Sequence, residues 1–140
     1  MSLPKILILC TGNSCRSQMM HGLLKTLAKN KAEVWSAGVE THGLNKYAVK
    51  YLNEIEDVDI STHTSNLVDS YADITFDFVI TVCDHANERC PIFSSSAKKL
   101  HHNFSDPSKI TGSEFEIKEA FAQTISELKA YTLNFIETEL

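Results

Sequence analysis

Apolar residues gather first in a short unbroken run inside Lys5–Cys10, the pattern of a strand buried on both faces of a parallel sheet. A polar stretch follows, Thr11-Gly12-Asn13-Ser14-Cys15-Arg16. Over residues 17–29 the period changes, and Met20, Leu23, Leu24, Leu27 and Ala28 fall on one face of a helix. Residues 34–38 read as a second strand. Residues 47–56 read as a helix with Ala48, Tyr51, Leu52 and Ile55 on one side. A short helix is expected over 66–72, and β-branched residues make 78–83 the clearest central strand. A weaker fourth strand covers 99–104. The last helix opens at Ser113, with Glu116 completing a capping box and an inner stripe of Phe121, Ile125, Leu128, Thr132 and Phe135.

Strands that alternate with helices imply an α/β domain of three layers, a four-stranded parallel sheet flanked by helices. The opening strand–loop–helix unit suits a small flavodoxin-like topology, whose ligands bind at the carboxyl ends of the strands. Cys10 and Cys83 both end expected strands and can share that rim. The 140 residues hold one domain, 1–140, with no repeat or linker.

Composition adds constraints. With 43% hydrophobic and 22% charged residues the chain is ordinary for a soluble protein. A net charge of −5 gives no general attraction to nucleic acid or a membrane surface. An anionic substrate would require locally collected positive potential. The first apolar run is short, and Thr11-Gly12-Asn13 stands where a signal peptide would carry its small-residue cleavage site. The expected compartment is the cytoplasm, where cysteines more often do chemistry than form structural disulfides. Four cysteines therefore call for an explanation.

Cys10 and Arg16 bracket five residues between a strand and an amphipathic helix. A loop entering a helix there aims N–H groups inward and adds the positive end of the helix dipole. Thr11, Gly12, Asn13, Ser14, Cys15, Arg16 and Ser17 are thus candidate binders of an oxyanion. Arg16 can hold two oxygens through its planar fork. The same field favours a nucleophilic Cys10 thiolate, to which Ser17 can donate a hydrogen bond. Asn13 suits the shaping of the loop through backbone hydrogen bonds. Cys15 is either a small packing residue or a second thiol.

Asp106 precedes Pro107, which restricts it to an extended backbone. Its carboxyl is a candidate general acid for a departing oxygen, against the plain alternative of an Asp-Pro turn. Cys83 and Cys90 stand seven residues apart, a spacing of neither thioredoxin nor zinc-ribbon type. In a helix they would lie about 10 Å apart, too far for a disulfide without rearrangement. They are either a redox switch or two buried structural cysteines. His101 and His102 adjoin on a strand and so point to opposite faces, one packed and one exposed, which disfavours a shared metal.

Three stretches together resemble the thioredoxin-coupled arsenate reductases: residues 10–19, the Ser-Ala-Gly-Val-Glu-Thr-His-Gly segment at 36–43, and 81–91 with Cys83 and Cys90. Residues 101–107 are similar to that family's acid loop. Low-molecular-weight tyrosine phosphatases share the Cys10–Arg16 loop and the Asp-Pro pair, but lack the Cys83–Cys90 pair in this setting. The resemblance implies the low-molecular-weight phosphatase fold and a three-cysteine relay. In that relay Cys10 attacks arsenate held by Arg16 and the loop amides, and Asp106 protonates the leaving oxygen. Cys83 then releases arsenite as a Cys10–Cys83 disulfide forms, and Cys90 draws the disulfide onto Cys83–Cys90. A thiol partner, thioredoxin or glutathione with glutaredoxin, reopens it. The implied protein needs no bound cofactor and acts as a monomer. Relatives often carry a potassium site. Its matching positions here are Asn13, Ser36 and Thr64, with His21 and Asn66 where carboxylates are expected, so at most a weakened site is implied. Two other readings stay open: a phosphomonoesterase of the tyrosine phosphatase kind, and an oxyanion-binding redox sensor.

Overall fold

A computed structural model describes residues 3–84, 86 and 97–140. Four parallel strands, β1 (Lys5–Cys10), β2 (Glu33–Gly38), β3 (Phe78–Thr81) and β4 (Lys98–His101), lie in the order β2-β1-β3-β4. β1 is central, and Ile6, Leu7, Ile8 and Leu9 are all 0% exposed, which explains its unbroken apolar run. Its register sets Cys10 opposite Gly38 and Leu9 opposite Thr81, and Thr81 in turn lies opposite His101. The carboxyl ends of all four strands therefore meet at one rim.

Three α-helices lie wholly among the described residues: α1 (Arg16–Ala28), α2 (Lys46–Glu56) and α3 (Glu114–Glu139). α2 starts where the Asn45 side chain accepts from the amides of Tyr47 and Ala48, and stops at a left-handed Asp57. α3 opens on the capping box of Ser113 and Glu116, and its buried stripe is Phe121, Thr124, Ile125, Leu128, Thr132 and Phe135. Phe135 meets Phe78 edge to face at 5.2 Å, which ties α3 to β3. Tyr47, Tyr51 and Phe121 form a ring cluster between α2 and α3.

The sequence expectations differ from this arrangement in detail. β3 ends at Thr81, not at residue 83, although the Val82 amide still donates to Leu9 at 3.0 Å. β4 runs Lys98–His101, not 99–104, because Phe78 pairs with Lys98. Residues 66–72 hold only a 3-10 turn, Val68–Tyr71, since Leu67 is kept extended by a bridge to Gly38. His101 and His102 are both exposed. His101 bonds to Thr81 and Asp84, while the His102 ring lies 4.4 Å from that of Phe104, so neither is packed inside. β4 is a polar edge, where charge discourages further strand pairing.

Candidate active site

The loop between β1 and α1 is braced from the protein side. Asn13, 0% exposed, adopts a left-handed backbone with φ 47°, which Asn tolerates better than most residues. Its side-chain amide donates to Ser17 Oγ at 2.8 Å, and its Oδ1 accepts from the Asn66 amide at 2.8 Å. Its carbonyl accepts from Gln18 Nε2 at 3.1 Å. The end of β2 closes the other side: a Cβ at Gly38 would stand 2.7 Å from the Thr11 carbonyl and 2.8 Å from the Asn13 amide. Only glycine fits that approach.

α1 begins at Arg16 without a side-chain cap from Cys15, so its first amides stay open to an anion. They face a cavity of about 290 Å³, lined by Cys10, Thr11, Gly12, Ser14, Cys15 and Arg16 from the loop, by His42, and by Asp106, Ser108 and Lys109. Asn13 and Ser17 are placed behind the loop, and the Ser17 hydroxyl is engaged by Asn13.

Arg16 is anchored by donation from Nη1 to the Phe104 carbonyl at 2.8 Å, and Nη2 lies 3.6 Å from Asp106 Oδ2. Its Nε is buried with no hydrogen-bond partner among the described residues. Asp106 caps the turn Pro107–Lys109, its Oδ1 accepting from the Ser108 amide at 3.0 Å and hydroxyl at 2.6 Å. Nucleophile, guanidinium and carboxyl candidates thus border one cavity.

Cys83 reaches the same rim. It lies two residues past β3, buried, with Thr11 Oγ1 3.2 Å from its sulfur and the Ala86 amide donating at 3.4 Å. Cys10 and Cys83 stand at the ends of adjacent strands and perturb each other's ionisation. Their mutual interaction is the largest cause of two opposite displacements, bringing the Cys83 thiol down to about 5 and pushing Cys10 far above its ordinary range. Burial raises both, and Arg16 lowers both. The two sulfurs therefore titrate as a pair, with the thiolate favoured on Cys83. Cys15 differs: burial pushes its thiol well above the usual range, with the nearby Asp106 adding to it. It stays a neutral wall residue. Cys90 lies outside the described residues.

The positions matched to a potassium site do not fit the cation. His21 Nδ1 bonds to Ser36 Oγ at 2.9 Å, and the His21 ring lies 4.4 Å from that of His63. Burial holds the His21 imidazole down to about 3, so it is neutral. Asn13 Oδ1 is taken by Asn66, and the Thr64 carbonyl accepts from Gln18 at 2.9 Å. Those oxygens already hold hydrogen-bond partners, and positions 21 and 66 offer an imidazole and an amide in place of carboxylates.

Three cavity residues escaped the sequence reading. His42 falls inside the Ser36–Gly43 stretch, yet no pattern shows that its ring packs over Gly12. Ser108 and Lys109 follow the Asp-Pro pair and reach the cavity only through the turn.

Comparison with known proteins agrees in family and fold. A family model described as low molecular weight phosphotyrosine protein phosphatase matches residues 5–140. An arsenate reductase of Shouchella clausii is 43% identical over 138 residues, covering 99% of each chain. A structure described as an arsenate reductase in the oxidized state superposes with a TM-score of 0.83 at 26% identity, covering 96% of this chain and 98% of that one. A low molecular weight tyrosine phosphatase from T. tengcongensis has the same fold, with a TM-score of 0.79 at 23% identity over 96% of this chain and 98% of that one.

Proposed function

Because the chain belongs to the low molecular weight phosphotyrosine protein phosphatase family, we propose that it turns that family's anion site to the reduction of arsenate to arsenite. The observation that carries this reading is the second thiol. Cys83 lies beside the anion loop, its sulfur 3.2 Å from Thr11 Oγ1, and phosphoryl transfer has no use for it. The 43% identical arsenate reductase supports the same reading.

Arsenate enters the cavity against the loop amides and Arg16. As Cys10 attacks, its proton passes to the Cys83 sulfur. A sulfur–arsenic bond forms, one arsenic–oxygen bond breaks, and Asp106 gives its proton so that the oxygen leaves as water. Cys83 then loses its proton to solvent, favoured by Thr11, the Ala86 amide and Arg16. Its thiolate attacks the Cys10 sulfur. The electron pair of the sulfur–arsenic bond returns to arsenic, which departs as arsenite in the trivalent state, and a Cys10–Cys83 disulfide remains. Cys90 attacks Cys83, frees the Cys10 thiolate and leaves a Cys83–Cys90 disulfide. An external dithiol supplies the two electrons that reopen it, and thioredoxin or glutaredoxin with glutathione fits this role.

The cavity rim also bears on substrate. Outside the loop the described residues that line it are His42, Asp106, Ser108 and Lys109, with no tyrosine, phenylalanine or tryptophan among them to clasp a phosphotyrosine ring. Inorganic oxyanions suit it better. Weak aryl phosphatase activity is still expected, since Cys10, Arg16 and Asp106 suffice for it. No helix among the described residues is long and apolar enough to cross a membrane, in keeping with a protein that works in the reducing cytoplasm.

Arsenite production with the thioredoxin system and with glutathione plus glutaredoxin, beside aryl phosphate hydrolysis, tests the proposal. Repeated turnover with either reductant is the expected result. Phosphate hydrolysis without arsenite would return the protein to the phosphatases, and one stoichiometric oxidation without arsenite would make it a sensor.

A further inference from the structure

Cys83 stands where the sheet no longer holds the chain. On its amino side, Val82 is still tied: its amide donates to Leu9 at 3.0 Å and its carbonyl accepts from Phe104 at 3.0 Å. On its carboxyl side the ties come from side chains. Asp84 donates its amide to Asn103 Oδ1 at 3.1 Å, and its carboxylate accepts from His101 Nε2 at 2.8 Å. His101 Nδ1 in turn lies 2.7 Å from Thr81 Oγ1, at the end of β3. The imidazole thus bridges the last residue of β3 and the residue after Cys83.

We propose that Asp84 and His101, with Asn103, form a latch that holds Cys83 in line for its attack on Cys10, so that both are positioning residues for the second thiol step. This rests on the arsenate reductase reading above.

The exposure of the pair supports a positional role. Asp84 is 70% exposed and His101 31%, and an ion pair so open to water adds little to stability. Its geometric effect is larger. Cys83 is one residue from Asp84, and thiol transfer requires the attacking sulfur to lie on the axis of the bond it breaks. A loss of alignment of that kind lowers rate steeply.

The test uses Asp84→Ala, His101→Ala and the double variant. In a Cys15→Ser, Cys90→Ser background, closure of the Cys10–Cys83 disulfide by diamide is followed by alkylation and mass spectrometry. In the full chain, arsenite release is followed over a single turnover and aryl phosphate hydrolysis is measured alongside. Each single variant should slow closure and single-turnover release by about tenfold, the double variant should be no slower than the worse single, and phosphatase kcat/KM should stay within about twofold. Asp84→Asn, which still accepts from His101, should recover most of the rate. Unchanged closure, or a parallel fall in phosphatase activity, would overturn the latch. If the parent protein releases no arsenite, the arsenate reading fails while the diamide comparison still decides the latch.

Discussion

The hydroxyl of Thr11 lies 3.2 Å from the sulfur of Cys83, so the first residue of the anion loop also touches the second thiol. Oxyanion binding and disulfide chemistry are joined at that contact. Thr11→Val keeps the shape and removes the hydrogen bond. The interaction with Cys10 is the largest cause that brings the Cys83 thiol down to about 5, and the Thr11 bond adds to it. Without the Thr11 bond the pKa rises, so the acid limb of single-turnover arsenite release should move to higher pH. A pH–rate profile of the variant beside the parent checks this, and coincident limbs would contradict it.

Cys10→Ser should abolish arsenate reduction and aryl phosphate hydrolysis together, because a serine hydroxyl in the same loop does not ionise. Cys83→Ser and Cys90→Ser should stop repeated arsenate turnover and spare phosphate hydrolysis. Parallel loss of both activities in folded Cys83 and Cys90 variants would reduce those cysteines to packing.

Asp106→Asn should lower arsenate turnover by about a hundredfold and flatten one limb of its pH profile, since the amide has no proton to give. The Ser108 bonds to Oδ1 and the turn should survive the change. An unaltered profile would leave Asp106 as a turn residue alone.

Potassium chloride should melt the protein at the same temperature as equal sodium chloride, because His21 and Ser36 bond to each other where a cation would sit. Acid should matter more. Folded His21 takes up its proton only near pH 3, against 6.5 unfolded, so the unfolded chain binds more protons between those values. Stability is fully present above 6.5 and is lost as pH falls toward 3, at no more than about 1.4 kcal/mol per pH unit from this residue. Melting curves of His21→Gln should show a shallower acid decline than the parent.

Tyr51 is 1% exposed and its hydroxyl has no hydrogen-bond partner among the described residues. Tyr51→Phe keeps the ring against Phe121 and removes a desolvated polar atom. Stability should rise by about 1 kcal/mol. Chemical denaturation measures it, and a loss of comparable size would mean that the hydroxyl is satisfied after all.

The opening of the domain was readable because its signals are local. An unbroken apolar run, a cysteine and arginine around a polar loop, and a helical stripe all lie within residues 5–29, and the structure places them as β1, the loop and α1. The Ser113 capping box is equally local. The ends of β3 and β4 were misjudged because strand length is decided by register between distant segments, here Phe78 against Lys98. His42, Lys109 and the Asp84–His101 pair were invisible for the same reason: their partners come from elsewhere in the chain. Cys10 and Cys83 could be placed at one rim from sequence, whereas their coupled ionisation depends on how the two strand ends come together.

The bracing of Asn13 bears on how the site can be inhibited. Its three hydrogen bonds run to Ser17, Gln18 and Asn66, all on the side away from the cavity. A bound compound cannot reach those bonds to loosen them, so it meets a wall of fixed curvature. Affinity must then come from matching that curvature with a rigid tetrahedral head. Selectivity against other phosphatases must be sought at His42 and Lys109, on the rim outside the loop, where a substituent can extend without disturbing the head.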